Sequence, residues 1–256
     1  MSNFEFGDVD VRLEEGHVAR VEIHRPPNNF FDSALITSLA DAFDAIDARP
    51  EARAIVLCSE GKHFCAGADF GGGRPDTAAA DLYREAIRLF AAETPVIAAV
   101  QGAAVGGGLG LALMADFRVA SPEARFSANF ARLGIHHGFG LSVTLPRLIG
   151  HQAAQDLLYT GRRVPGEEAH ALGLCDRVVA ADALSGEATR WATEIARSAP
   201  LAVVSIRKTL RGALAEEIRK ATDHERLEQA RLQQTEDFRE GVAAMAERRT
   251  PSFRGR

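Results

Sequence analysis

Cysteine is scarce in this chain: three residues in 256, an odd number without metal-binding spacing. A disulfide framework is therefore excluded, no metal site is expected, and a reducing compartment, the cytoplasm, is implied. Long apolar runs are missing too. No uncharged apolar stretch reaches the roughly 18 residues of a membrane span, and Met1 to Asp10 is acidic with no apolar core. Neither a membrane partner nor a secretion signal is expected. Positive charge is not in excess: 30 Lys and Arg face 35 Asp and Glu, a net charge of −5. A protein that neutralises phosphates over a wide surface needs the opposite balance, so no nucleic-acid partner is expected. Repeats and low-complexity segments are absent as well.

What remains is the composition of an ordinary globular protein, 46% hydrophobic and 25% charged, long enough to bury a large core. Strand-like runs lie at Val18–Ile23, Ala54–Leu57, Val96–Val100 and Phe117–Ala120, with a short candidate at Val178–Val179. Helical patterns fall between them, at Ser33–Asp47, Ala78–Ala92, Leu109–Met114, Gly140–Leu148 and Gly166–Leu172. Strands alternating with helices predict an α/β fold with parallel pairing. From about Ala183 the chain reads as helix after helix. A boundary near Ser198-Ala-Pro200 divides a core, residues 1–197, from a C-terminal helical region, residues 198–256. The charged helix Leu214–Glu236 reads equally as a solvated face.

The segment Gln101-Gly-Ala-Ala-Val-Gly-Gly-Gly-Leu-Gly-Leu-Ala-Leu-Met-Ala-Asp116 is the most informative. A strand runs into Gly106, Gly107 and Gly108, and an apolar helix leaves them. Such a junction gathers unpaired backbone N–H groups at the positive end of a helix dipole, where an anion or a developing oxyanion is stabilised. Glycines also serve tight turns and close packing. The spacing is not G-x-G-x-x-G, and no Gly-Lys-Ser/Thr follows, so dinucleotide and P-loop sites are disfavoured. A second strand-to-loop junction ends in Gly61-Lys-His-Phe-Cys-Ala-Gly-Ala-Asp-Phe70. Cys65 within it, near His63, reads as a small filler rather than a nucleophile.

Together, Phe64-Cys-Ala-Gly-Ala-Asp69 and Ala104-Val-Gly-Gly-Gly108 resemble the enoyl-CoA hydratase/isomerase (crotonase) family. The resemblance begins at Val18-Ala-Arg-Val-Glu-Ile-His-Arg-Pro26 and continues through Leu158-Tyr-Thr-Gly161 and Ala169-His-Ala-Leu-Gly-Leu174. It closes with Glu236-Asp-Phe-Arg-Glu-Gly-Val242 and Arg248-Arg-Thr-Pro-Ser-Phe253. It implies a crotonase-like spiral of ββα turns, with C-terminal helices that pack homotrimers, often paired into homohexamers. It also implies an acyl-CoA thioester substrate that carries its own coenzyme A, so no separate cofactor is expected.

By the same resemblance, the thioester carbonyl sits between the backbone N–H groups of Ala68 and Gly107, each contributing about 3–4 kcal/mol to barrier lowering. Ala66, Ala68, Asp69 and Phe70 map to the adenine and pantetheine path, although Asp69 also suits a turn cap. The two hydratase glutamates fall on Gly110 and Phe130, and a third acidic position of the family falls on Gly138. All three positions lack a carboxylate. Each missing acid or base removes about 10²–10⁴-fold in rate, so two-glutamate hydration is not expected.

Ile135-His136-His137-Gly138-Phe139-Gly140 places two imidazoles on that wall, able to take or give a proton near neutral pH. Adjacent residues rarely face the same way, so one of them is expected to point inward, with His136 slightly preferred. No third ligand accompanies them, so they are not a metal pair. His63, His151 and His170 read as loop or surface residues. Phe130, Leu133, Phe139 and Leu141 make the acyl pocket apolar. Gly71-Gly-Gly-Arg-Pro75 suggests a flexible lid, and Tyr83, Arg84 and Glu85 read either as substrate contacts or as surface positions.

Three readings follow. The first is an acyl-CoA enzyme working through a thioester enolate, by isomerisation, decarboxylation, hydrolysis or C–C cleavage. The second is a non-catalytic acyl-CoA binding protein, and the third a purely structural oligomer without affinity for coenzyme A.

Overall fold

The computed structural model describes residues 3–68 and 79–256, with 79–81 described by backbone alone. Its main sheet grows outward from two buried strands. β4 (Ala54–Ser59) and β5 (Val96–Val100) are buried at every position, as parallel strands covered on both faces must be. β3 (Val18–Ile23) pairs parallel with β4, and β7 (Phe117–Ala120) pairs parallel with β5. β10 (Arg177–Val178) extends this parallel block beyond β7.

At the other edge, β1 (Asn3–Phe6) and β2 (Val9–Glu14) add an antiparallel meander on β3. The sequence reading assigns no element to Met1–Asp10, yet Val9 and Val11 alternate inward with Asp10 and Arg12 on the opposite face. A small second sheet joins β6 (Ala103–Val105), β8 (Arg125–Ser127) and β9 (Val164–Pro165).

α1 (Ser33–Asp47) begins where Asp32 accepts the Leu35 N–H at 2.9 Å. With α2 (Ala79–Ala91) and α3 (Gly107–Met114) it shares the larger apolar core on one side of the sheet. All eight residues of α3 are buried, so this helix is apolar all round. α6 (Leu184–Ala196) covers the opposite face, setting Ala188, Ala192 and Ala196 against Val18, Val56 and Ile97.

α4 (Leu141–Thr160) runs well past the predicted end at Leu148. A break two residues beyond that end exists at Gly150, at φ 77°, but the chain turns there and resumes a helix. α5 (Gly166–Leu172) follows as predicted.

Beyond the turn at Ser198, α7 (Pro200–Arg211), α8 (Leu214–Leu232) and α9 (Glu236–Ala246) complete the chain. The predicted helix Leu214–Glu236 stops at Leu232, and Thr235 caps α9 by accepting the Phe238 N–H. α8 is not simply a solvated face. It packs against α2 and the start of α4, burying Leu214, Ile218, Thr222 and Glu225.

Candidate functional site

Two strand ends are laced together beneath α3. After β4, the chain turns through Ser59–His63 and comes alongside the segment leaving β5. The Phe64 N–H donates to the Gln101 carbonyl at 2.8 Å and the Cys65 N–H to Ala103 at 2.9 Å. The Val105 N–H returns to the Cys65 carbonyl at 3.0 Å, closing a parallel bridge between Cys65 and Ala104. Side chains fix the approach. Fully buried Asn29 donates to the carbonyls of Glu60 and His63 at 2.8 and 2.6 Å, and Gln101 donates to Ser59 O at 2.7 Å. Glycine is required at the closest points. A Cβ on Gly67 would lie 2.8 Å from Val105 O, and one on Gly108 would overlap the Cys65 carbonyl.

Most amides at this junction are spoken for. The Ala66 N–H donates to Asn28 O at 2.9 Å and Gly106 to Ser127 O at 2.8 Å. Leu109 and Gly110 both donate to Gly106 O, at 3.1 and 3.2 Å. The Gly67 amide lies close to the Cys65 sulfur. Among the described residues, no acceptor is seen for the N–H groups of Ala68, Gly107 and Gly108. The last two occupy the first turn of α3, where a helix leaves its donors without partners. Ala68 stands three residues past Cys65 of the bridge, and Gly107 three past its partner Ala104. Phe31 joins the two positions. Its backbone bridges Ala68, its N–H donating to Gly67 O at 3.1 Å, while its ring lies where a Gly107 side chain would be. Phe31, between the Pro26 loop and the Asp32 cap, was not singled out from the sequence; the helix-start signal beside it was the available clue.

Cys65 is fully buried, and burial pushes its thiol up to about 12, so it stays protonated and packs as a small apolar group. Ala66 is half-buried beside it. Asp69, Phe70 and the Gly71–Pro75 segment lie outside the described residues. His63 belongs to the scaffold, its Nδ1 accepting the Ala103 N–H at 3.1 Å.

The three positions without a carboxylate are occupied by other groups. A Cβ on Gly110 would lie 2.7 Å from Phe139 Cβ and 2.8 Å from its ring. A Cβ on Gly138 would run into the Tyr83 hydroxyl and, at 2.6 Å, the Gln229 amide. Phe130 is itself buried, its ring tip 3.7 Å from a Cβ built on Gly106. Phe139 adopts φ 60°, a strained conformation for an aromatic residue. Its ring lies 5.8 Å from Phe31 and 6.3 Å from Phe90, centroid to centroid. An aromatic wall therefore follows the glycine face of α3, with Phe31 over Gly107 and Phe139 over Gly110, one turn later.

The two histidines depart from expectation. Their rings stack, 4.1 Å apart and 26° from parallel, instead of pointing to opposite sides. Alternation belongs to strands, and residues 136–138 are irregular. His136 Nδ1 donates to the His137 carbonyl at 2.8 Å, folding one ring over the other. His137 Nε2 lies 2.8 Å from Ser142 Oγ, which in turn lies 2.6 Å from Glu225 Oε1. Because the serine hydroxyl has a single proton and gives it to the carboxylate, His137 must donate through Nε2, leaving Nδ1 as the free acceptor. Burial, together with the neighbouring His136 and His224, lowers the His137 pKa to about 4. The ring is therefore neutral at pH 7.

Glu225 anchors this loop from α8. Completely buried, it accepts the N–H groups of Gly140 and Ser142 at 2.9 and 3.0 Å, at the positive end of α4. Gln229 donates to the His136 carbonyl at 3.0 Å and receives the Tyr83 hydroxyl at 2.8 Å. Tyr83 is thus a tie between α2 and α8, and Glu85 is held by Arg84 and Arg88. The contacts of the histidine pair run toward Ser142 and α8, whereas Phe139 of this loop meets Gly110. No helix among the described residues is long and apolar enough to cross a membrane.

Comparison with known proteins gives this arrangement its relatives. The family model described as enoyl-CoA hydratase/isomerase matches residues 14–256. A putative enoyl-CoA hydratase of Thermus thermophilus is 36% identical over 253 residues, covering 95% of this chain and all of the relative. The (E)-benzylidenesuccinyl-CoA hydratase of Thauera aromatica is 34% identical, covering 96% of this chain and 99% of the relative. Among solved structures, an enoyl-CoA hydratase/isomerase from Pseudoalteromonas atlantica superposes with a TM-score of 0.88 at 31% identity, over 96% of this chain and 100% of that one. The fold is that of the crotonases, and the chain belongs to the enoyl-CoA hydratase/isomerase family.

Proposed function

We propose that this protein is an acyl-CoA-processing enzyme in which the amides of Ala68 and Gly107 receive the thioester oxygen and stabilise the enolate that forms from it. The observation that carries this reading is the accounting of amides. Among the described residues, two donors at equal offsets from the Cys65–Ala104 bridge find no acceptor, and Phe31 holds them in one corner. Fixed backbone donors suit a developing negative charge because they need no reorganisation as the reaction proceeds. The activity for which these relatives are named, hydration of CoA esters, supports the substrate class.

Two-glutamate hydration does not suit this wall, since Phe139 fills the space beside Gly110 and the buried Phe130 stands at the other position. Isomerisation, decarboxylation, hydrolysis and C–C cleavage remain the reactions in view. Decarboxylation asks least of the side chains, because departure of carbon dioxide generates the enolate directly. Where a proton must be moved, the acceptor nitrogens in view are His136 Nε2 and His137 Nδ1, one on each ring. Exposed Leu201, Ile206 and Leu210 on α7 favour assembly with further copies, the homotrimer or homohexamer implied by the resemblance.

Turnover of enoyl-, malonyl- and β-ketoacyl-CoA, measured for the native protein and for His136→Ala and His137→Ala, tests the proposal. The expected result is turnover of at least one class, with a loss of rate but retained binding in one of the two variants. The filled acidic positions favour one second reading, a non-catalytic acyl-CoA binding protein. It predicts tight thioester binding without turnover, unchanged by either substitution.

A further inference from the structure

The glycine face of α3 suggests how long an acyl group this site accepts. Gly107 and Gly110 lie on one face, about 4.5 Å apart along the helix axis. Over Gly107 lies the half-buried ring of Phe31, and over Gly110 lies Phe139, 2% exposed. The Phe139 Cβ and ring atoms stand 2.7, 2.8 and 3.0 Å from the place of a Gly110 Cβ, so the ring occupies the volume that the glycine leaves vacant. Phe90 backs the ring at 6.3 Å and Phe31 flanks it at 5.8 Å.

The ring is also held firmly. Phe139 and Gly140 both lie in the left-handed region, at φ 60° and 73°. Buried Glu225 binds the Gly140 and Ser142 amides immediately beyond them, and the Tyr83 hydroxyl lies close to the Phe139 amide. A residue kept in a strained conformation by the Glu225 ties from α8, with Tyr83 of α2 packed beside it, has little freedom to swing aside.

We propose that Phe139 is the specificity-determining residue of this site: its ring ends the acyl pocket one helical turn beyond Gly107 and restricts substrates to short acyl groups. The inference rests on the reading of Ala68 and Gly107 as the thioester site. It extends that reading from the carbonyl to the far end of the chain. A pocket closed by an aromatic ring in van der Waals contact discriminates on the order of 10–200-fold per methylene group.

The test is calorimetric titration with acetyl-, butyryl-, hexanoyl- and octanoyl-CoA, for the native protein, Phe139→Ala and Phe139→Leu. The native protein is expected to bind the two short esters and to lose affinity by at least about tenfold at hexanoyl-CoA. Phe139→Ala is expected to move that break toward the longer esters, raising the hexanoyl-to-acetyl affinity ratio about tenfold or more, with Phe139→Leu in between. Phe139→Leu keeps most of the buried volume, so it carries the test if the alanine variant fails to fold. A ratio unchanged in the folded variants, or native binding that is indifferent to length, overturns the role of Phe139 alone. Absence of binding by any of the four esters to the native protein instead overturns the thioester site on which the inference stands.

Discussion

The β6–α3 junction and the loop from Ile135 to Ser142 lie on the same aromatic wall but are built in opposite ways. At the junction, side chains are absent where backbones meet, and the amides of Ala68, Gly107 and Gly108 find no acceptor among the described residues. In the loop the amides of Gly140 and Ser142 are taken by Glu225, the His136 carbonyl by Gln229 and the His137 ring by Ser142. A buried corner with spare donors is prepared to receive a ligand oxygen. A buried loop tied at these points is prepared to hold a shape, and here the shape it holds is the position of Phe139.

If that contrast is sound, damage to the two regions should look different. Gly108→Ala should have the largest effect. Its Cβ overlaps a backbone carbonyl that cannot rotate away, so a loss of about 3 kcal/mol or more in unfolding free energy is expected by denaturant titration. Glu225→Ala comes next. It strips two buried amides of their acceptor and should cost about 2–4 kcal/mol in the same measurement. Glu225→Gln, which keeps one acceptor oxygen, should cost less.

The third effect depends on pH. The folded pKa of His137 is about 4, below its ordinary value of 6.5, so the unfolded chain binds more protons between those limits. Stability contributed by the neutral ring is full above pH 6.5 and is lost as pH falls toward 4, by about 3 kcal/mol at most. His136, His224 and Glu225 face the ring. The reading is therefore the difference between the native protein and His137→Gln, whose unfolding midpoint should be flatter across that window. The smallest effect belongs to the solvent side of α8. Arg219→Ala removes exposed pairs with Glu216 and Asp223 and should leave the unfolding midpoint in place.

The same contrast governs what could be read from the sequence. Parallel strands β4 and β5 are continuous apolar runs, and the Gly106–Gly108 cluster announces the junction through backbone requirements that any observer can list. Local signals thus reached the floor of the site. They did not reach its wall. The space left by Gly110 is filled by a residue 29 positions away, and nothing near either residue declares that contact. Glu225 in a charged helix reads as a solvated residue, because its acceptor role exists only once α4 begins beside it. The adjacent histidines were expected to diverge, since the alternation of strands was applied to irregular backbone. Short β6, β8 and β9 carry too few residues to show a period at all.

The most direct test of the central claim is a crystal structure with a bound, slowly reacting acyl-CoA thioester. The account predicts the thioester oxygen about 2.7–3.1 Å from both amide nitrogens, Ala68 and Gly107, with the acyl end against Phe139. A carbonyl lodged elsewhere, or amides of Ala68 and Gly107 turned away from each other, would contradict it.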